Sequence, residues 1–174
     1  VHHRQVPDTI SQITALHDKV TADIASDVKI IAVINKVRAW IEESDSGSEL
    51  FTDHAHGDAP TVETMTALLE SAHSEANNAG AQSALEKATQ LIQGSASAGR
   101  TGTQVSALFD TLAADFTASK TKKETYAASL ITEKNTHLAT FKAEIIANSA
   151  LFTTALAQEL AHQQRQATLQ SEIN

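Results

Sequence analysis

Apolar side chains recur at intervals of three and four residues along most of the chain. In the first stretch they are Ile10, Ile13, Val20, Ile24, Ile31, Ile34 and Ile41. This spacing places side chains on one face of a helix, and Asp8 after Pro7 is typical of a helix N-cap. The pattern predicts a helix over about residues 8–43. Because the same face carries His17, Asp27 and Arg38, we expect a partly hydrated interface.

The same periodicity predicts three further helical segments. Their apolar positions include Val62, Met65 and Leu69, then Val105, Phe109 and Phe116, then Leu138, Phe141, Ile145 and Phe152. The second segment covers about 61–93 and is broken near residue 80, where Asn77, Asn78 and Gly80 interrupt it. A loop over 94–102 follows, with Thr103 as the next N-cap. The last two segments are about 103–134 and 136–172.

A slip in the apolar pattern near Lys134 leaves two interpretations of the C-terminal half. Either Lys134, Asn135 and Thr136 form a turn, with Asn135 left-handed and Thr136 capping the next helix, or one helix of roughly 100 Å continues to the end. The turn gives four segments of similar length, as an antiparallel four-helix bundle requires. We therefore predict an all-α, elongated antiparallel bundle of four long helices in a single domain over residues 1–174, with the fused helix as the alternative.

Composition narrows the classes of partner. The 174 residues contain 21 Asp and Glu against 13 Lys and Arg, a formal net charge of -8. Nucleic acid and anionic membranes reward clustered Lys and Arg, so neither is expected. Cysteine is absent, so packing alone must hold the fold. Because the sequence begins with Val1, we expect a trimmed chain or a mature polypeptide cut from a precursor.

The segment GSASAGRT, residues 94–101, is one residue away from the phosphate-binding G-x-x-x-x-G-K-[ST] loop. That loop works between a strand and a helix, with its Lys reaching the phosphates. Here a predicted helix precedes the glycines and Arg100 replaces the Lys. The segment therefore indicates a connector between helices, and no nucleotide partner is expected.

A metal site is the second hypothesis for chemistry. Asp53, His54, His56 and Asp58 lie together in a polar loop, with Glu63 nearby and His2 and His3 elsewhere. Imidazole and carboxylate ligands suit zinc or nickel, and Asp53 and Asp58 suit weak calcium binding. The loop lacks the residue order of an EF-hand. No cofactor is required by this interpretation.

The remaining polar residues favour structural roles. His17, His73, His137 and His162 are scattered one per predicted segment, and an isolated interface histidine is usually a hydrogen-bonded structural residue. The basic run Lys120, Lys122 and Lys123 predicts a solvated face beside Glu124. Glu159 and His162 form one E-x-x-H pair, whereas a dimetal bundle needs two. We find no catalytic motif and predict that the protein is not an enzyme.

One segment resembles a known family. The helix G-T-Q-V-S-A-L-F-D-T-L-A-A-D-F after the glycine-containing loop carries Gly102, Val105, Leu108, Phe109, Leu112, Asp115 and Phe116. This pattern is similar to the trichocyst matrix proteins and granule lattice proteins of ciliates, and residues 85–93 resemble the short helix before that loop. The likeness covers roughly residues 80–145.

The resemblance implies an acidic, helix-rich structural polypeptide that is cut from a precursor. Such proteins pack into a crystalline core in the lumen of secretory granules and expand on calcium-triggered release. The expected partners are then the protein itself and homologous matrix proteins, with contacts at polar surfaces and at exposed Leu50, Phe51 and Ile173. The alternative function is a secreted or cytosolic helical binding module that recruits a partner protein.

Overall fold

The computed structural model describes residues 2–44 and 61–173. In the first of these ranges, side chains are described for residues 7–43. Within these ranges the chain forms four helices and no strand: α1 (His2–Ser44), α2 (Val62–Glu75), α3 (Ala79–Ala98) and α4 (Gly102–Ile173). The predicted all-α bundle is confirmed, with α1 packed against α4. No helix in the described residues combines the length and apolarity needed to cross a bilayer.

Helix α4 is continuous, so the predicted turn at Lys134, Asn135 and Thr136 is wrong and the fused alternative is correct. This stretch contains neither Gly nor Pro, and among the described residues no residue other than glycine has a positive φ. The hydroxyl of Thr136 donates instead to the carbonyl of Thr132 at 3.1 Å, within the helix. The shift in apolar register therefore reflects a change of exposed face along one helix.

The start of α1 also differs from the prediction. The helix begins at His2, and Pro7 lies inside it, so Asp8 is not its N-cap. The fixed φ of proline, about −65°, is already helical, and its ring removes only one backbone hydrogen bond near the helix end. The pattern located the body of α1 correctly, but Pro7 does not mark its boundary.

The break in the second predicted segment is confirmed and lies at residues 76–78 rather than at Gly80. Ala76 and Asn78 have extended backbones, with ψ of 129° and 155°. The side-chain oxygen of Asn78 accepts a hydrogen bond from the Ala81 amide at 2.9 Å and so caps α3. Asparagine is among the preferred N-cap residues, which explains why the new helix begins directly after it.

The chain forms two compact units. One is Leu16–Ser129, and the other combines Val1–Ala15 with Leu130–Asn174. The first unit contains a core to which all four helices contribute. Its largest fully buried apolar side chains are Ile34, Val37, Ile41, Leu69, Leu85, Ile92, Val105 and Phe109. In the second unit, Ile13 and Leu130 are buried. The expectation of a single domain stays a prediction.

Candidate functional site

The predicted metal residues Asp53, His54, His56 and Asp58 lie outside the described residues, as do Leu50 and Phe51. Glu63 lies in the first turn of α2. Within the described ranges, no group of three or more His, Cys, Asp or Glu side chains is arranged to hold a metal ion. The metal hypothesis for the loop therefore stays a prediction.

The GSASAGRT segment connects two helices, but the connector is shorter than predicted. Residues 94–98 are the end of α3, and Gly99 closes that helix in the left-handed conformation, with φ of 64°. The Arg100 amide donates to the carbonyl of Ser95 at 3.1 Å, and its guanidinium donates to the hydroxyl of Ser95 at 3.1 Å. The Arg100 amide and guanidinium, which a bound phosphate would need, therefore form hydrogen bonds that stabilise the C-terminus of α3.

Thr101, and not Thr103, caps α4. Its hydroxyl accepts from the Gln104 amide at 3.3 Å, while its own amide donates to the Gln104 side chain at 3.0 Å. This reciprocal pair is a capping box, T-x-x-Q, which the sequence already contained. Thr103 lies within the first turn of α4, one residue after its start at Gly102.

Three of the histidines, His17, His73 and His137, lie close to carboxylates. His73 on α2 lies 3.0 Å from the Glu86 carboxylate on α3, and the nitrogens of His17 and His137 lie 3.8 and 3.9 Å from the Asp18 and Glu133 carboxylates. Each contact joins one imidazole to one carboxylate. These pairs are suited to fixing side chains and neighbouring helices rather than to binding a metal.

A polar network lies in the core of the first unit. Asp27 on α1 is fully buried, and its carboxylate accepts from the Lys123 ammonium on α4 at 2.6 Å and from the Asn78 amide at 3.0 Å. Lys123 also donates to the Asn78 side-chain oxygen at 3.4 Å. A buried carboxylate needs such a counter-charge because desolvation of an unpaired ion is costly. The network therefore fixes α1, α4 and the start of α3 together.

This network corrects the prediction for the basic run. Lys120 does pair with Glu124, as expected, and Lys122 is exposed. Lys123 and Lys120 are similarly exposed, at 25% and 22%, but the Lys123 ammonium reaches the buried Asp27. The sequence did indicate Asp27 on the apolar face of α1, but its partner Lys123 lies 96 residues further along the chain.

A second ion pair joins α1 to α4 at the surface. The Arg38 guanidinium donates to both carboxylate oxygens of Asp110 and to Glu42 one turn along α1. The hydrogen bond to Asp110 is the main cause that raises the pKa of Arg38 above its ordinary value. Arg38 is therefore a fixed cation at the edge of the core. The sequence predicted a partly hydrated interface here but did not predict this ion pair.

The C-terminal part of α4, in contrast to the part in the core, is exposed to solvent. Every side chain from residue 145 to residue 173, which we call the exposed segment, is exposed. Its large apolar side chains are Ile145, Ile146, Leu151, Phe152, Leu156, Leu160, Leu169 and Ile173. Leu151 and Phe152 are 69% and 70% exposed, and no charged residue occurs between Glu144 and Glu159. Ile145, Phe152, Leu156 and Leu160 recur at helical spacing on one face, and an exposed apolar face marks an interaction site.

A shallow depression lies on this segment. Its walls are Ile145, Asn148, Ser149, Phe152 and Thr153, all on one short stretch of α4. Four of these positions are spaced i, i+3, i+4 and i+7, which is the arrangement that receives one side chain from a facing helix. The geometry is suited to helix packing.

No protein-family model, curated protein or solved structure matches this chain. The resemblance to the granule proteins of ciliates therefore stays a prediction.

Proposed function

We propose that this protein is a non-enzymatic structural protein that self-assembles through the exposed segment of α4. The observation that carries the proposal is the exposure of every side chain from residue 145 to residue 173, including the large apolar ones. A single helix in water gains little stability from its own backbone bonds. Covering this apolar face with another helix would remove it from water and stabilise the segment.

Assembly into an ordered secretory granule matrix is the setting that the family resemblance supports. In that setting the partners are the protein itself and homologous matrix proteins, and the protein is extracellular after release. The net charge of -8 supports a response to calcium, since a divalent cation screens or bridges surplus carboxylates between molecules. The uncharged run from residue 145 to residue 158 would supply contacts that calcium does not directly alter.

Sedimentation velocity of the full chain at several concentrations tests this function. We expect concentration-dependent association in chelator, and a further change in assembly size when calcium replaces the chelator. Magnesium at the same concentration is the control for general charge screening. A particle that stays monomeric across concentration, calcium and pH would rule out self-assembly and favour the alternative, a helical module whose exposed segment receives a different protein.

A further inference from the structure

The exposed segment and the two helical turns before it carry a ridge with a defined pattern, and its interpretation rests on the self-assembly proposed above. The α4 ridge consists of side chains spaced alternately by four and three residues: Leu138, Lys142, Ile145, Ser149, Phe152, Leu156 and Glu159. All of them are exposed. Alternating spacing of this kind forms the seam of a two-stranded coiled coil. Two charged residues interrupt this otherwise uncharged seam, Lys142 near one end and Glu159 at the other.

We infer that two copies of this chain pair antiparallel along the α4 ridge, with Lys142 of each copy opposite Glu159 of the other. In this register Ile145 lies opposite Leu156, and Phe152 lies opposite Ser149. From Lys142 to Glu159, each layer then contains an opposite-charge pair, two apolar side chains, or one large and one small side chain. The pairing is symmetric, so the same contacts occur twice, as a two-fold dimer requires.

Charge decides the orientation. In a parallel pair in register, each residue lies opposite its own copy, so Lys142 faces Lys142 and Glu159 faces Glu159. Like charges in the seam are destabilising, and opposite charges select partner and direction. The antiparallel register converts both interruptions into ion pairs.

Shape supports the same register. The depression lined by Ile145, Asn148, Ser149 and Phe152 includes Ser149, whose small side chain leaves room for a larger one. In the antiparallel register Phe152 of the other copy enters this depression, which gives the 70% exposed aromatic ring of the ridge a receiving site. Beside the seam, Ile146 approaches Thr153 of the other copy.

Cysteine cross-linking tests the register, because the chain has no cysteine of its own. The double variant Ile145→Cys/Leu156→Cys should form covalent dimers under mild oxidation, since a disulfide needs Cα atoms about 4.4–6.8 Å apart. Each single variant should not, because the two copies of one position are separated along the helix by about 16 Å. Ala147→Cys/Thr154→Cys is the matched control, since this pair has the same axial relation on the opposite face of α4.

Charge reversal provides a second measurement that does not depend on oxidation. Lys142→Glu and Glu159→Lys should each weaken dimerisation about tenfold, because each places like charges in two layers. The double variant Lys142→Glu/Glu159→Lys should restore the parent affinity. Circular dichroism of each variant at high dilution checks that the monomer still folds.

The outcomes separate this inference from the function on which it rests. Covalent dimers in the double-cysteine variant alone, with rescue by the double reversal, support the antiparallel register. Covalent dimers of Ile145→Cys alone would overturn it in favour of a parallel pair. Association by sedimentation without cross-linking at these positions would overturn the register and leave self-assembly standing. A monomeric parent protein would overturn both.

Discussion

The unit Leu16–Ser129 buries the same kinds of apolar side chain that the exposed segment of α4 leaves in water. Phe109 and Val105 on α4 are fully buried in that unit, whereas Phe152 and Leu151 on the same helix are 70% and 69% exposed. The spacing of apolar residues is helical in both regions. Periodicity therefore predicts which face of a helix will be covered, but it does not tell whether this chain or another molecule covers it.

The largest expected contrast is between two phenylalanines of α4. Phe109→Ala should lower the free energy of unfolding by about 3–5 kcal/mol, because it leaves a cavity in a packed core. Phe152→Ala should change the stability of the dilute monomer by less than about 0.5 kcal/mol, since that ring is already in water, while weakening association. Urea unfolding followed by circular dichroism measures both. Equal losses in the monomer would mean that Phe152 is covered within the chain.

The buried ion pair tests how far the core depends on one charge. Lys123→Ala should lower the free energy of unfolding by about 3 kcal/mol, because Asp27 would then be a buried carboxylate without a counter-charge. The neighbouring and exposed Lys122→Ala is the matched control, with an expected change below about 0.5 kcal/mol. Asp27→Leu/Lys123→Met should recover most of the loss, since an apolar pair removes the desolvation cost. Similar urea midpoints for Lys122→Ala and Lys123→Ala would contradict the network.

Two glycines at the C-terminal end of α3 give effects of opposite sign. Gly99 closes α3 with a φ of 64°, so Gly99→Ala should lower the free energy of unfolding by about 1 kcal/mol. Gly94 lies within α3, and a Cβ there would have no atom within 4 Å. Gly94→Ala should therefore raise stability by up to about 1 kcal/mol. Thermal unfolding of both variants measures the difference, and a stabilising Gly99→Ala would show that the connector has another conformation.

The smallest expected effect is at the start of α4. Thr101→Ala removes the hydrogen bond that the Thr101 hydroxyl accepts from the Gln104 amide and should cost about 0.5–1 kcal/mol. Thr101→Ser keeps an acceptor at the same position and should remain close to the parent in urea unfolding. If serine and alanine have equal effects, the capping box does not stabilise this end of α4.

Apolar spacing and capping residues predicted most of the helices, and each error in their boundaries can be traced to particular residues. Apolar spacing located the helices, and Asn77, Asn78 and Gly80 indicated the break that Asn78 makes by capping α3. The turn at Lys134 was inferred from equal segment lengths, although Asn135 and Thr136 cost a helix only a few tenths of a kcal/mol each. The capping box at Thr101 was readable but overlooked in favour of Thr103.

Contacts between residues far apart in the chain could not be predicted from the sequence. Asp27 on the α1 face indicated a polar position in the core, but nothing local distinguishes Lys123 from Lys120 or Lys122 as its partner. Only the packing of α1 against α4 makes that choice. The hypothesis for Asp53, His54, His56 and Asp58 stays a prediction, because those residues lie outside the described ranges.

The contact between Asp27 and Lys123 also has a consequence for the order of folding. Helices α2 and α3 are joined by three residues, so their pairing closes a short loop, whereas Asp27 and Lys123 are 96 residues apart. Closing the longer loop costs more chain entropy, so we expect the ion pair to form after the rate-limiting step. Loss of Lys123 should then accelerate unfolding and leave the refolding rate nearly unchanged. The pair would govern how long the native state persists rather than how quickly it is reached.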